Sequence, residues 1–235
     1  LYDLAVSCRY FRLPPHSRRI ETLVPLTEVS SEQLRQAAER WQNLLGNAPH
    51  PRIALLVGGT SYACRFDEAT AYRLGIEARS FAETMGGTVF AATSRRTGAQ
   101  ATVALKKGLG DCCYLHEWQP DQSENPFVAY LALADILIVT GESESMLAEA
   151  AATGKPVYIY PLPNQQLDLW TQLKEWIVAR SEKQRLGHRG TIQPQTGVQY
   201  LCARLVERGI ILPQPDLHLL HQTLVGSGVA QFFGS

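Results

Sequence analysis

The sequence predicts an α/β fold, a doubly wound parallel sheet with helices on both faces. Five short, unbroken apolar runs carry that expectation: Ile53–Val57, Thr88–Thr93, Cys112–Leu115, Ile136–Thr140 and Val157–Tyr160. Strands that are apolar on both sides suit a sheet covered on each face, which is the situation of parallel strands. Helical stretches with readable ends separate the runs, and such alternation over about 110 residues gives a doubly wound sheet.

Before the first run, Ser30 or Ser31 can cap a helix reaching Leu45, with Leu34, Ala37, Ala38, Trp41, Leu44 and Leu45 on one face and Gly46 to stop it. The Pro- and Arg-rich stretch before it, with Pro14, Pro15, Arg18 and Arg19, reads as a loop between two short strands. Gly46 to Pro51 is a natural boundary. Asp67 caps a helix whose Leu74, Ala78, Phe81 and Met85 recur at spacings of four, three and four, closed by Gly86 and Gly87. Asn125 and Pro126 supply a cap and a first-turn proline ahead of Phe127, Leu131 and Leu133. Ser143 or Ser145 can cap a helix that ends at Gly154. Two more amphipathic helices are expected near Asp168–Arg180 and Gly197–Arg208. The apolar tail Leu217 to Phe233 is expected to pack back as a helix. The resulting division is residues 1–48, then 51–212, then a helical tail over 213–235. The chain opens on Leu1 within a strand-like run, Leu4 to Cys8, which reads as a fragment or processed chain.

Composition limits the function classes. The 235 residues carry 22 Lys+Arg against 22 Asp+Glu, a net charge of zero, so no bulk electrostatic drive toward nucleic acid exists. Five scattered cysteines fit a reducing compartment better than a disulfide framework, and a cytoplasmic location follows as an expectation. No apolar run reaches the roughly 20 residues of a membrane-spanning helix, which leaves peripheral membrane contact and a protein partner open.

In an open α/β sheet, ligands bind beyond the carboxyl ends of the strands, so the loops after each strand hold the candidates. The first is Gly58-Gly59-Thr60-Ser61, where two glycines let backbone approach a ligand and N–H groups can face an anion. A plain tight turn explains it equally well. The second is Thr93-Ser94-Arg95-Arg96-Thr97-Gly98, in which two arginines beside a helix start suit a phosphate; two solvated arginines are the alternative. The richest runs from Thr140 through Gly141-Glu142-Ser143-Glu144-Ser145-Met146 to Glu149. Ser143 and Ser145 can cap the helix or bond a ligand. Glu149 lies one turn beyond Ser145 on the same face, where a carboxylate can hold a ribose diol; a capped helix with an exposed glutamate is the simpler reading.

Familiar motifs fail on spacing. Gly59 is followed by no Gly-x-x-Gly, which disfavours a nicotinamide cofactor, and no cofactor is expected. Gly154-Lys155 lacks the upstream glycine of a P-loop, and Pro156 blocks its helix. Ser145 stands where a nucleophile elbow needs glycine, and no histidine is placed as its base. Adjacent Cys112 and Cys113 with His116 read as core residues rather than metal ligands. His188, between Arg185 and Arg189, reads as a solvated basic turn.

Together, the strand ending in VGG, the strand ending in TSRRTG and the stretch ENPFVAYLALADILIVTGESESMLAEAAATGKPVYIY resemble the mitochondrial fission family founded on a plant protein. Many bacterial members of that family are labelled nucleoside-diphosphate-sugar epimerases. The likeness is strong over Pro51 to Pro161. It implies a fold similar to the nucleotide-sugar-binding C-terminal half of GT-B glycosyltransferases, with residues 1–48 the remnant of an N-terminal domain. The resemblance implies Gly58, Gly59 and Thr60 at the phosphates and Glu149 at the ribose. Ser143, Ser145 and Met146 would line the pocket, and Ser94, Arg95 and Arg96 would edge it.

The chain departs from the family where Glu142-Ser143 replaces Asp-Ser, Ala148 replaces Ser and Phe127 replaces Tyr. After Pro161, Leu167-Asp168-Leu169-Trp170 stands in place of a basic, His-bearing segment. A GT-B enzyme takes its acceptor, and usually its base, from the other domain, so no catalytic residue is assigned. The expected function is binding of a nucleoside-diphosphate sugar by a glycosyltransferase-like protein. A non-catalytic adaptor that recruits a protein partner is the alternative.

Overall fold

The computed structural model describes residues 3–13, 16–111, 113–120, 124–165, 169–181, 185–186, 192–193 and 195–234. In chain order, β1 (Ala5–Cys8) and β2 (Arg19–Thr22) precede α1 (Ser31–Leu45). Then come β3 (Arg52–Val57), α2 (Glu68–Met85), β4 (Thr88–Thr93), α3 (Ala99–Leu109) and β5 (Tyr114–His116). They are followed by α4 (Phe127–Leu133), β6 (Ile136–Thr140), α5 (Glu144–Ala152) and β7 (Val157–Tyr160). The chain continues through α6 (Leu169–Ser181), β8 (Arg185–Leu186), β9 (Ile192–Gln193), α7 (Gly197–Glu207), α8 (Leu217–Gly226) and β10 (Ala230–Phe232).

Contacts group these elements into two units, one of Leu26–Gln165 with His221–Ser235 and one of Leu1–Pro25 with Gln166–Leu220. The larger unit is built on a six-stranded sheet of order β10-β7-β6-β3-β4-β5, every pair parallel. β3 and β4 are buried along their whole lengths, as their unbroken apolar runs require. The core beneath them joins Ile53, Leu55 and Val57 to Leu74 and Ala78 of α2 and Leu105 of α3. The fold class is therefore a doubly wound, Rossmann-like α/β sheet.

Helix ends follow their capping residues. Ser30 caps α1 in a reciprocal capping box with Gln33, and Asp67 Oδ1 accepts the Thr70 N–H at the start of α2. Gly86 closes α2 at φ 67°. At α4 the cap sits one residue further on, with Pro126 in the N-cap position and Asn125 Oδ1 accepting the Phe127 N–H.

Two expectations need correction. The third run forms its strand at Tyr114–His116, not Cys112–Leu115; Cys112 itself lies outside the described residues. The C-terminal tail is not helical to Phe233: α8 ends at Gly226, and the chain turns through Gly228 at φ 72° into β10. β10 supplies the sixth strand, alongside β7.

In the smaller unit, β1 and β2 pair in parallel, and Val178 of α6 packs with Val206 of α7 and Ile211. Pro14, Pro15, Leu167, Asp168, His188 and Arg189 lie outside the described residues. No helix among the described residues is long and apolar enough to cross a membrane.

Candidate functional site

The strand order reverses direction at β3: the chain runs from β3 out through β4 to β5, then returns to place β6 on the other side of β3. Such a reversal opens a crevice at the carboxyl ends of the strands on either side. The loops after β3, β4 and β6 meet there. Gly58 N–H donates to Thr140 Oγ1 at 2.8 Å, and Gly59 N–H donates to Glu142 Oε1 at 2.5 Å. From the β4 side, Ser94 Oγ and Thr97 Oγ1 both donate to the Gly58 carbonyl, the latter at 2.7 Å.

These approaches account for both glycines. Gly59 has φ 142°, which L side chains rarely adopt, and a Cβ there would meet the Arg96 carbonyl and come within 2.6 Å of Thr97 N. A Cβ on Gly58 would meet the Glu142 carboxylate.

Glu142 is buried, at 2% exposure, and its Oε2 has no hydrogen-bond partner among the described residues. Arg96 Nη2 stands 3.9 Å from Oε1, a long ion pair. Burial pushes the Glu142 carboxyl above the usual carboxylate range, opposed by the Gly59 N–H, its own N–H, the Thr140 hydroxyl and the Arg96 charge. The preceding residue is fixed from α8: His221 Nε2 lies 2.6 Å from the Gly141 carbonyl. A carbonyl cannot donate, so Nε2 carries the hydrogen.

Gly58, Gly59, Ser94 and Arg96 are brought together directly, and Arg96 N–H also donates to Ser94 Oγ at 3.2 Å. Ser143 is buried beside them as the N-cap of α5, where its carbonyl accepts the Leu147 N–H but its side chain makes no cap bond. Thr60 is exposed and turned to its own loop, its hydroxyl bonding the Phe66 backbone. Arg95 and Ser145 are exposed, and Met146 and Glu149 are half-buried on α5. None of these four bonds the glycine turn. Burial raises the Glu149 pKa.

Thr97, Thr140 and Glu142 lie inside the loops that the sequence singles out but receive no role there, and His221 is not among the candidates. Glu142 was legible only as a departure from the family pattern, and His221 lies 80 residues beyond the carbonyl that it holds. Among the described residues, no group of three or more His, Cys, Asp or Glu is placed to hold a metal ion.

Residues 8–199 match the family described as Mitochondrial fission ELM1. The Arabidopsis thaliana "Mitochondrial fission protein ELM1" is 29% identical over 188 residues, which cover 80% of this chain and 41% of that protein. "Uncharacterized protein RP120" of Rickettsia prowazekii is 30% identical over 119 residues, 49% of this chain and 34% of that one. The chain thus spans less than half the length of either relative. Similar solved structures include a glycosyltransferase from Rickettsia africae, at TM-score 0.39 and 13% identity over 89% of this chain and 52% of that one. Another is Os79 from O. sativa in complex with UDP, at TM-score 0.36 and 15% identity over 78% and 38%.

Proposed function

The chain belongs to the mitochondrial fission ELM1 family, and from that premise we propose that its larger unit binds a nucleoside-diphosphate sugar at the carboxyl ends of β3, β4 and β6. The binding mode is that of the donor half of a GT-B glycosyltransferase. One observation carries the reading: the Gly58–Gly59 turn, the Ser94–Thr97 loop and the start of α5 meet at the switch point of the sheet.

The donors there divide the work. The N–H groups of Gly58 and Gly59 are engaged by Thr140 and Glu142, so the first hold on a diphosphate falls to Arg95, Arg96 and the opening N–H groups of α5. Arginine presents forked donors matched to phosphate, and a helix N-terminus adds its dipole. The glycines contribute by lacking side chains, which lets a ligand lie against the turn. Glu149, further along α5, accepts from the ribose hydroxyls. Thr60, Ser143, Ser145 and Met146 line the same pocket.

A thermal-shift series with UDP, UDP-glucose, ADP and GDP on the 235-residue chain tests this. A ligand at one hundred times its Kd stabilises the native state by about 2.7 kcal/mol. Glu149→Ala is expected to lose most of the response to the preferred nucleotide, and Arg96→Ala to weaken it. No shift with any of the four at millimolar concentration overturns the reading.

A further inference from the structure

The Gly59 N–H is the backbone donor at the tip of the glycine turn, and a side chain of the same chain already occupies it. The occupant is a carboxyl group, which carries the same charge as a phosphate and accepts the same hydrogen bond. Its geometry is incomplete: Oε1 sits on Gly59 N–H, whereas Oε2 is enclosed with no hydrogen-bond partner among the described residues. A buried carboxylate oxygen without a donor costs free energy, which a proton on that oxygen relieves. We propose that Glu142 couples anion binding to a proton: its carboxyl occupies the Gly59 N–H, which a phosphate oxygen takes over once the arginines hold it, so anion binding takes up one proton at Glu142. The proposal rests on the nucleotide reading above and adds the coupling to it.

The groups facing Glu142 favour this exchange. From the loop after β4, Arg96 is the one cation paired with it among the described residues, at 3.9 Å, and its side chain is 42% exposed, which leaves it room to turn to an incoming phosphate. From the loop after β3 comes Cys64, whose thiol is pushed up first by burial and then by the Glu142 charge; a neutral thiol offers no counter-charge. From β6 comes the Thr140 hydroxyl, and from α8 comes His221, whose Nε2 bonds the Gly141 carbonyl. When a phosphate draws Arg96 away, two anions face one another across Gly59. Taking a proton from solvent neutralises Glu142, loosens its hold on Gly59 N–H and removes the repulsion. The burial that already raises this carboxyl's proton affinity acts in the same direction.

Calorimetric titration of the 235-residue chain with UDP at pH 7.5–8.5, in buffers of different ionisation enthalpy, counts the protons directly. Net uptake approaching one proton per UDP is expected, with affinity weakening toward tenfold per pH unit across that range. Glu142→Gln is expected to bind with no uptake and to lose that pH dependence. Dividing the two affinities cancels the titration of UDP's own terminal phosphate. Binding by the wild type with no proton uptake overturns the coupling alone, whether or not the variant folds. No binding by the wild type at any pH overturns the nucleotide reading itself, and the coupling with it.

Discussion

A buried carboxyl with one oxygen on a backbone N–H and the other without a partner favours its acid form, and among the described residues Glu142 is held in that way. The consequence for stability has a definite sign. Its native pKa lies above the ordinary value of 4.5, so over the window between the two the native state keeps a proton that the unfolded chain has released. Its contribution is complete below the unfolded pKa and is lost as pH rises through the native one. Glu149 shifts in the same direction through burial, so the variant that isolates Glu142 is Glu142→Gln. From pH 5 to pH 8 the wild type is expected to lose stability relative to this variant by about 1–3 kcal/mol, the range for one unpaired buried polar group. In a chain of this size that is roughly 2–4 °C of Tm per kcal/mol. Parallel melting curves across that pH range would show that Glu142 is ionised in the native state.

Elements decide which residues meet, and their legibility differed for physical reasons. Runs such as Ile136–Thr140 and Val157–Tyr160 were readable because burial on both faces leaves no polar interruption. β10 was not, because Ala230-Gln231-Phe232 is three residues long and follows a helix after a turn of only three residues. The glycine turn and the Ser94–Thr97 loop were readable from residue type. The burial of Glu142 was not, since a glutamate after a strand looks the same whether it faces water or the sheet. Nor was the contact of α8 with the loop after β6, which depends on tertiary packing across 80 residues. That contact makes a sharp prediction. A Cβ on Gly141 would lie 2.8 Å from His221 Cε1 and 3.3 Å from Ile159 Cγ2. Gly141→Ala is expected to cost about 1–3 kcal/mol, as overpacking does. In a His221→Ala background the cost should shrink by a coupling of roughly 0.5–3 kcal/mol, measured by a denaturant double-mutant cycle. Strictly additive costs would show that α8 does not hold the turn.

At the scale of the molecule, the two units differ in how their backbone is protected. In the larger unit, β3 is bonded on both sides, to β4 and to β6, and none of its six residues is exposed. In the smaller unit, β1 and β2 pair only with one another among the described residues, and the paired Val6 and Ile20 are each 50% exposed. A two-stranded ribbon has little apolar cover, and parallel strands are stable chiefly when buried on both faces. Opening the ribbon therefore exposes little new surface, whereas freeing β3 requires the whole sheet to come apart. Native-state hydrogen exchange resolves such differences as separate opening free energies. The β3 and β6 amides are expected to exchange only through global unfolding of their unit, and those of β1 and β2 through local opening that is orders of magnitude more frequent. Adding UDP should slow exchange in the loops after β3, β4 and β6 and leave the β1 and β2 rates unchanged. Equal protection of β1 and β3 in the free protein would overturn this ranking and mark the ribbon as part of a larger covered sheet.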